Sequence, residues 1–365
     1  MAGFPQELTA ALEALLAGES AAQLARDAQA ISENYRLRTG QGSRLLTKES
    51  EAAAYAASRM PATFAAAQAA LQQALHAGGL EVRTLLDCGA GTGAATWAAA
   101  GLFPLERITC LEREEAMRSV GRLLMRAGSG ALAQAIWADG DLTQMQALPR
   151  ADLVTEGYML GELQADVRLA VAERLWDAAE KLLVLIEPGT PQGFANLAAV
   201  RAHLAGRGAH VAAPCPAGCA RCPMEGEDWC HFAVRVQRTR LHKALKGGEA
   251  PYEDEKFAYL ALTKMPPKAP CGARVLRHPQ IAPGRIVLTL CAGGERTQRA
   301  VTKKDPLWKR ARKLGAGEGL TSSQTAPRGA APDAARRRES ARRQRRRPHS
   351  SGWRCPWWPS SSRCR

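Results

Sequence analysis

Apolar residues recur at helical spacing through the first 78 residues, in stretches such as ELTAALEALLAG and PATFAAAQAALQQALHAGG, each ending in the glycine that often stops a helix. The pattern predicts a helical N-terminal segment over 1–78. Within it Tyr35, Arg36, Arg38, Tyr55, Arg59 and Pro61 punctuate the alanine and leucine, and they read as helix surface and helix starts. From residue 81 the texture changes to short apolar runs separated by helical stretches: VRTLLDCGAG, RITCLERE, ADLVTEGYM, KLLVLIEPG, KFAYLALTK and GRIVLTLC. Strand alternating with helix predicts an α/β domain over 79–265, a mostly parallel sheet with helices on both faces. Residues 266–318 hold the last strand and a basic extension, ERTQRAVTKKDPLWKRARKL. After about Gly319, Ser, Pro, Ala and Arg displace almost every aliphatic residue; such a composition cannot bury a core, and 319–365 is expected to be disordered.

Composition changes this picture in two places. The net charge of +15 invites a nucleic-acid partner, but twelve arginines against one aspartate and one glutamate after residue 320 put +10 of it in the tail. A basic surface on the folded part must therefore come from local clusters. No run of about 18 uncharged apolar residues appears, and the first 20 residues carry glutamates where a signal peptide carries positive charge, so no membrane span and a cytoplasmic location are expected. In a reducing compartment, clustered cysteines serve metal or redox chemistry more often than they form disulfides.

LLDCGAGTG closes the first strand with Asp87 and continues through Gly89, Gly91 and Gly93 into a helical stretch. Glycines let the backbone turn sharply and approach a ligand, and the helix start offers unpaired amides. A dinucleotide site is spaced G-x-G-x-x-G; here the third glycine comes one residue early and a carboxylate leads the turn. This D-x-G-x-G-x-G form resembles the first motif of class I S-adenosylmethionine-dependent methyltransferases. The resemblance implies that Glu112, ending the second strand, accepts hydrogen bonds from the cofactor ribose. It further implies that Asp139, after the third strand, contacts the adenine amino group, and that Glu156 to Leu160 lie beside the methyl donor. Enzymes that methylate exocyclic base nitrogens carry an Asn/Asp-Pro-Pro-aromatic turn after the fourth strand. This chain has EGYM there, and no Pro-Cys nucleophile follows that strand. No catalytic residue is assigned.

CPAGCARCPMEGEDWCHF places Cys215, Cys219, Cys222 and Cys230 in one loop broken by proline and glycine, inserted within 211–232 after the KLLVLIEPG strand. Four thiolates satisfy either zinc or an iron–sulfur cluster, and only Cys219 and Cys222 have the C-x-x-C spacing of a zinc knuckle. His231 could ligate, or hydrogen-bond a cluster sulfur from outside the ligand set. Cys88 and Cys110 read as small buried residues, while Cys271, Cys355 and Cys364 have no evident partners.

Together with RMPATFAAA, LVLIEPGTPQGF, DWCHF, LHKALKGGEAPYEDEKFAYLAL and VLTLCAGGERTQRAVTKKD, this loop resembles the mitochondrial methyltransferase-like small-ribosomal-subunit assembly factors and their bacterial relatives, from the first helices to about residue 318. The resemblance implies a [4Fe-4S] cluster held by Cys215, Cys222, Cys230 and the distant Cys291, with Cys219 a neighbour; the local set including Cys219, or zinc, is the alternative. It also implies S-adenosylmethionine as a second cofactor, and the small ribosomal subunit and its RNA as partners of a monomer. Phosphate and base contacts would fall on Arg235 and Arg238, and on Lys303, Lys304, Trp308, Lys309, Arg310 and Arg312, where cations surround an aromatic. Three functions follow: an assembly factor that binds ribosomal RNA and supports translation without turnover, an active ribosomal RNA methyltransferase, or a zinc-stabilised methyltransferase of another substrate. The tail departs from the family, and its composition would equally suit an RNA-binding arm or a shifted reading frame in GC-rich DNA.

Overall fold

Small side chains let a helix lie close against a sheet, and alanine decides how the N-terminal segment packs. In the computed structural model of the chain, α1 (Gln6–Leu16) buries Leu8, Leu12 and Leu16, and α2 (Glu49–Gly78) turns Ala56, Ala66, Ala67, Ala70 and Ala74 wholly inward. The described residues are 3–18, 20, 23–24, 26, 48–217, 219, 222–224, 226, 228–238, 243 and 250–325. Tyr35, Arg36, Arg38 and the predicted disorder beyond residue 325 lie outside them. Glu51 accepts from the Lys48 amide at 3.2 Å at the start of α2, and Gly79, at φ +56°, closes its end by donating to the Leu75 carbonyl. Pro61 starts no helix; it sits buried inside α2. An interior proline costs a helix about 3 kcal/mol, and packing along a 30-residue helix offsets that cost.

Beneath α2 lies the main sheet. Its strands are β1 (Thr84–Cys88), β2 (Arg107–Glu112), β3 (Ile136–Asp139), β4 (Ala151–Gly157), β5 (Ala179–Pro188), β6 (His210–Ala213), β7 (Phe232–Gln237) and β8 (Tyr252–Thr263). The order is β3-β2-β1-β4-β5-β8-β6, with β7 also on β8. The first five strands run parallel, as predicted, and β8 runs antiparallel to β5. Helices α3 (Ala94–Ala100) and α4 (Glu115–Arg126) join α2 on one face, while α5 (Ala165–Ala178) and α6 (Pro191–Ala205) cover the other. The strand order reverses between β1 and β4, and in open α/β sheets ligands bind at that switch point, beyond the strand ends.

Two features escape the sequence pattern. First, β6 and β7 share one edge of β8: β6 covers Ala261–Thr263 and β7 covers Tyr252–Phe257. The cysteine loop leaves the sheet after Ala213 and returns at Phe232, spanning the uncovered stretch 258–260 between them. Second, part of the basic extension is a strand. β11 (Arg285–Ala292) and β12 (Glu295–Thr302) form a hairpin through Gly293 and Gly294, both at positive φ (58° and 83°). That two-glycine turn suits the twist of paired strands. With β9 (Ala273–Val275), β10 (Gln280–Ala282) and β13 (Gly319–Leu320) they form a second sheet around Ile286, Leu288, Leu290 and Val301, closed by the short α7 (Trp308–Ala311).

Candidate functional site

At the switch point the glycine turn takes up the conformations its residues allow. Gly89, Gly91 and Gly93 have φ of +66°, +57° and +90°, a region that side chains disfavour, and a Cβ on Gly93 would stand 2.3 Å from Met125 Cε. Asp87 does not face a ligand. Its Oδ2 accepts from the Thr96 hydroxyl at 2.6 Å and its Oδ1 from Thr155 at 2.8 Å, so it ties the turn to α3 and β4. Burial raises its carboxyl above the ordinary range, against the pull of these hydroxyls. Glu112 clamps the turn from the side: Oε2 accepts from the Gly91 amide at 2.8 Å and Oε1 from Glu114 at 2.9 Å.

An open cleft of about 130 Å³ lies over this turn, lined by Gly89, Gly91, Glu112, Asp141, Tyr158, Met159 and Glu162 among others. The remaining predicted carboxylates sit elsewhere. Asp139 points outward and pairs with Arg118 Nη1 at 2.8 Å, while Asp141, two residues on, lines the cleft and holds the Thr143 amide and hydroxyl. Glu156 is fully buried below the cleft, and its Oε1 accepts from the amides of Met159 and Leu160 at 2.8 and 3.1 Å. Burial first, and the nearby Glu187 second, push it well above the usual carboxylate range.

The turn after β4 is strained and braced from afar. Tyr158, at φ +65°, is the one non-glycine residue in the left-handed region among the described residues. Its hydroxyl donates to Glu255 Oε1 of β8 at 3.3 Å, and Arg59 of α2 donates to the same oxygen at 3.3 Å. Tyr55, one helical turn before Arg59, lines the cleft. Reading Tyr55 and Arg59 as plain helix surface therefore missed a wall of the site; the signal available was an aromatic and a cation four apart in an alanine helix. Glu162 is pushed up to about 7, chiefly by burial, with Arg113 opposing and Glu112 assisting.

The second site is the cysteine cavity. Cys215, Cys219, Cys222 and Cys230 line it together with Cys291, which arrives from β11. Leu288 and Leu290 face the second-sheet core, so Cys291 belongs to the opposite face, and it is buried because the loop covers it with Met224 and Leu276. Cys219 is no remote neighbour: side-chain hydrogen bonds link it to both Cys215 and Cys291, lowering its own thiol pKa and raising theirs. Burial pushes Cys230 up to about 12. The sulfurs share one cavity, yet among the described residues no three His, Cys, Asp or Glu side chains stand as a ready metal-ligand group.

Arginines fasten the loop. Arg201 donates to the Cys219 carbonyl, Arg274 to that of Pro214, and Arg277 to the Asp228 carboxylate and the Trp229 carbonyl. Trp229 in turn donates to the Gly189 carbonyl and stacks on His231, which lies off the cavity lining. Cys88 and Cys110 are fully buried in β1 and β2.

The basic residues divide. Arg235 pairs with Asp254 and lies over the Tyr252 ring, and Arg238 pairs with Glu253, so neither offers an unpaired charge. Lys303, Lys304, Lys309, Arg310 and Arg312 are exposed around the β12–α7 turn, and Trp308 packs half-buried against the second-sheet core.

A family model described as mitochondrial small ribosomal subunit Rsm22 matches residues 49–321. The chain is 27% identical over 263 residues to the mitochondrial ribosome assembly protein METTL17 of Homo sapiens, covering 68% of this chain and 56% of that protein. It thus spans about half the length of the curated relative it matches. Among solved structures it is similar to a putative RNA methyltransferase from Pyrococcus horikoshii (14% identity, 55% of this chain, 84% of that one, TM-score 0.37). Another is magnesium protoporphyrin IX methyltransferase from Synechocystis PCC 6803 with bound SAM (13% identity, 66% and 97%, TM-score 0.36).

Proposed function

The chain belongs to the Rsm22 family, and on that footing we propose that it binds S-adenosylmethionine over the glycine turn, holds a [4Fe-4S] cluster on its cysteine cavity, and binds ribosomal RNA to support small-subunit assembly and translation. The observation that carries this reading is the extent of the family match. Residues 49–321 run from the helix that supplies Tyr55 to the cleft, through all five cavity cysteines, to the end of the basic segment.

The residues present fit both groups. Positive-φ glycines leave the floor of the cleft bare, and Glu112 and Asp141 offer carboxylate oxygens with lone pairs to spare for hydroxyl or amino donors. S-adenosylmethionine, when bound, supplies an electrophilic methyl group. The chain's own part is to hold the ribose and base with these carboxylates and to wall off the turn after β4 with Tyr55 and Tyr158. At the cavity, Cys215, Cys222, Cys230 and Cys291 would hold the cluster, Cys219 being the spare thiol; zinc on the same thiolates is the alternative. A bound cluster supplies an anionic cross-link between the loop and the second sheet. The donor chemistry fits, and so does a buried hydroxyl beside these cysteines, that of Tyr259, which has no hydrogen-bond partner among the described residues. RNA would meet the exposed cations from Lys303 to Arg312.

Binding without turnover is favoured by the turn after β4. Glu156 is turned inward and Tyr158 is tied to Glu255, so neither side chain is free to hold an amino group in line. One observation favours the second reading, an active ribosomal RNA methyltransferase: Glu162 lines the cleft with a pKa raised to about 7, suited to accept a proton near neutral pH. Anaerobic purification with iron, sulfide and zinc analysis, calorimetry with S-adenosylmethionine, and co-sedimentation with small subunits test the proposal. Absence of iron and sulfide, or of subunit binding, would overturn it. Mass analysis of ribosomal RNA from cells with and without the protein separates the two readings, since a methyl group lost at one nucleotide requires an enzyme.

A further inference from the structure

Arg274 stands directly opposite Cys291 in the β9–β11 ladder, and opposed residues of an antiparallel pair project from the same face. It is 2% exposed and lines the cysteine cavity. Its guanidinium donates to three neutral oxygens: the carbonyls of Pro214 and Gly317, at 2.7 and 2.8 Å, and the Gln73 side chain. Among the described residues no carboxylate pairs with it, and the ionisable groups that act on it most are Tyr259, Cys271, Cys215 and Cys230. A guanidinium does not shed its proton in a protein, and a buried ion without a counter-charge is heavily destabilising.

Tyr259 makes a second, independent case. It lies on the stretch of β8 that neither β6 nor β7 covers, is 4% exposed, and among the described residues its hydroxyl finds no partner. The groups around it are Arg274, Cys230, Cys271 and Cys215. A buried cation in the cavity wall and a buried orphan donor beside it thus neighbour the same cysteines, and neutral thiols do not balance the cation. An anionic centre answers both.

We propose that Arg274 and Tyr259 are positioning residues for an anionic, thiolate-ligated metal centre in this cavity, Arg274 as its buried counter-cation and Tyr259 as a hydrogen-bond donor to one of its sulfurs. The inference rests on the metal reading above and adds who balances the charge. The contacts themselves make and break no covalent bond. One electron from an external reductant such as dithionite would add one negative charge to an iron–sulfur centre, and Arg274 favours that reduced state.

The test uses the full chain, prepared anaerobically, as wild type, Arg274→Gln, Arg274→Lys and Tyr259→Phe. Metal content, the rate of extraction by a chelator and, for iron, the midpoint potential are measured. Arg274→Gln is expected to lose metal at least about tenfold faster and to lower the potential by about 59 mV, a tenfold change in a one-electron equilibrium. Arg274→Lys keeps the charge but loses the three-oxygen fork, and it restores most of the potential. Tyr259→Phe, which removes only the hydroxyl, shifts both readouts the same way by less, and it decides the matter if Arg274→Gln fails to fold. Metal-loaded variants with wild-type potential and chelator resistance overturn the inference alone, as does Arg274→Lys behaving like Arg274→Gln. Wild-type protein carrying neither iron nor zinc sinks the metal reading itself.

Discussion

At the glycine turn two acidic side chains meet donors from the chain, Asp87 two hydroxyls and Glu112 two backbone amides. At the cysteine cavity the balance differs: a buried guanidinium lines it and a buried phenol lies beside it, and among the described residues no carboxylate pairs with that guanidinium. The first site is built by folding and waits for its ligand. The second, on the proposed reading, leaves a donor over for a bound group to meet. A site of the first kind loses little when its ligand leaves, whereas one of the second kind loses part of the fold's own bookkeeping.

Metal removal should therefore have the largest effect. Chelation, or Cys222→Ser, is expected to lower stability by on the order of 5 kcal/mol, read as a fall in Tm with loss of visible absorption. Saturating S-adenosylmethionine at a hundred times its Kd should raise stability by only about 2.7 kcal/mol. Equal shifts would erase the contrast between the sites. Next comes Asp87→Ala, which strands two buried hydroxyls and should cost about 2–3 kcal/mol in denaturant unfolding. Glu112→Gln keeps the shape of its side chain and should cost about 1 kcal/mol, while weakening S-adenosylmethionine about tenfold by calorimetry.

A pH dependence sharpens the comparison from the cleft side. Glu162 and Glu187 are each raised to about 7 by burial, and in the unfolded chain they titrate near 4.5. Between those values the folded state binds more protons, so their contribution is fully present below pH 4.5 and is lost as pH rises through 7. Thermal scans of the metal-loaded protein from pH 5 to 7.5 should show Tm falling, with a shallower slope in Glu187→Gln. The smallest effect is expected at Arg235→Ala: its charge is spent on Asp254 at an exposed pair, so ribosomal RNA affinity should change less than about twofold. Removing Lys303 and Lys304 together should reduce the salt dependence of binding by about two.

What was legible followed the range of the signal. Four of the five parallel strands and the glycine turn announce themselves within a few residues, because strand periodicity and left-handed φ are local; the third strand, four residues with no buried position, is carried by the motif order instead. β6 and β9 are four and three residues long, too short for an alternation to show, and draw their stability from β8 and β11; β7 does alternate, but it follows the cysteine loop at once and is passed over. The hairpin of β11 and β12 did carry a local mark, the Gly293-Gly294 pair, hidden by a polar strand that reads as a basic tail. Within the cleft, Glu112 lies where the motif order implied, but Asp139 turns out to Arg118 and leaves Asp141 inside, a two-residue difference that only the path of the loop decides.

The amino-acid sequence by itself determined where the backbone must turn, which strands alternate with helices, and how many thiols crowd one loop. Each of these is a property of neighbours along the chain. Only the tertiary structure decided that Cys291 and Arg274 share one covered sheet face, that Tyr55 walls the cleft while Arg59 braces Glu255, and that Arg235 and Arg238 are already paired. Burial and charge balance are set by segments a hundred or more residues apart meeting across a sheet, and no local spacing encodes which face will be covered.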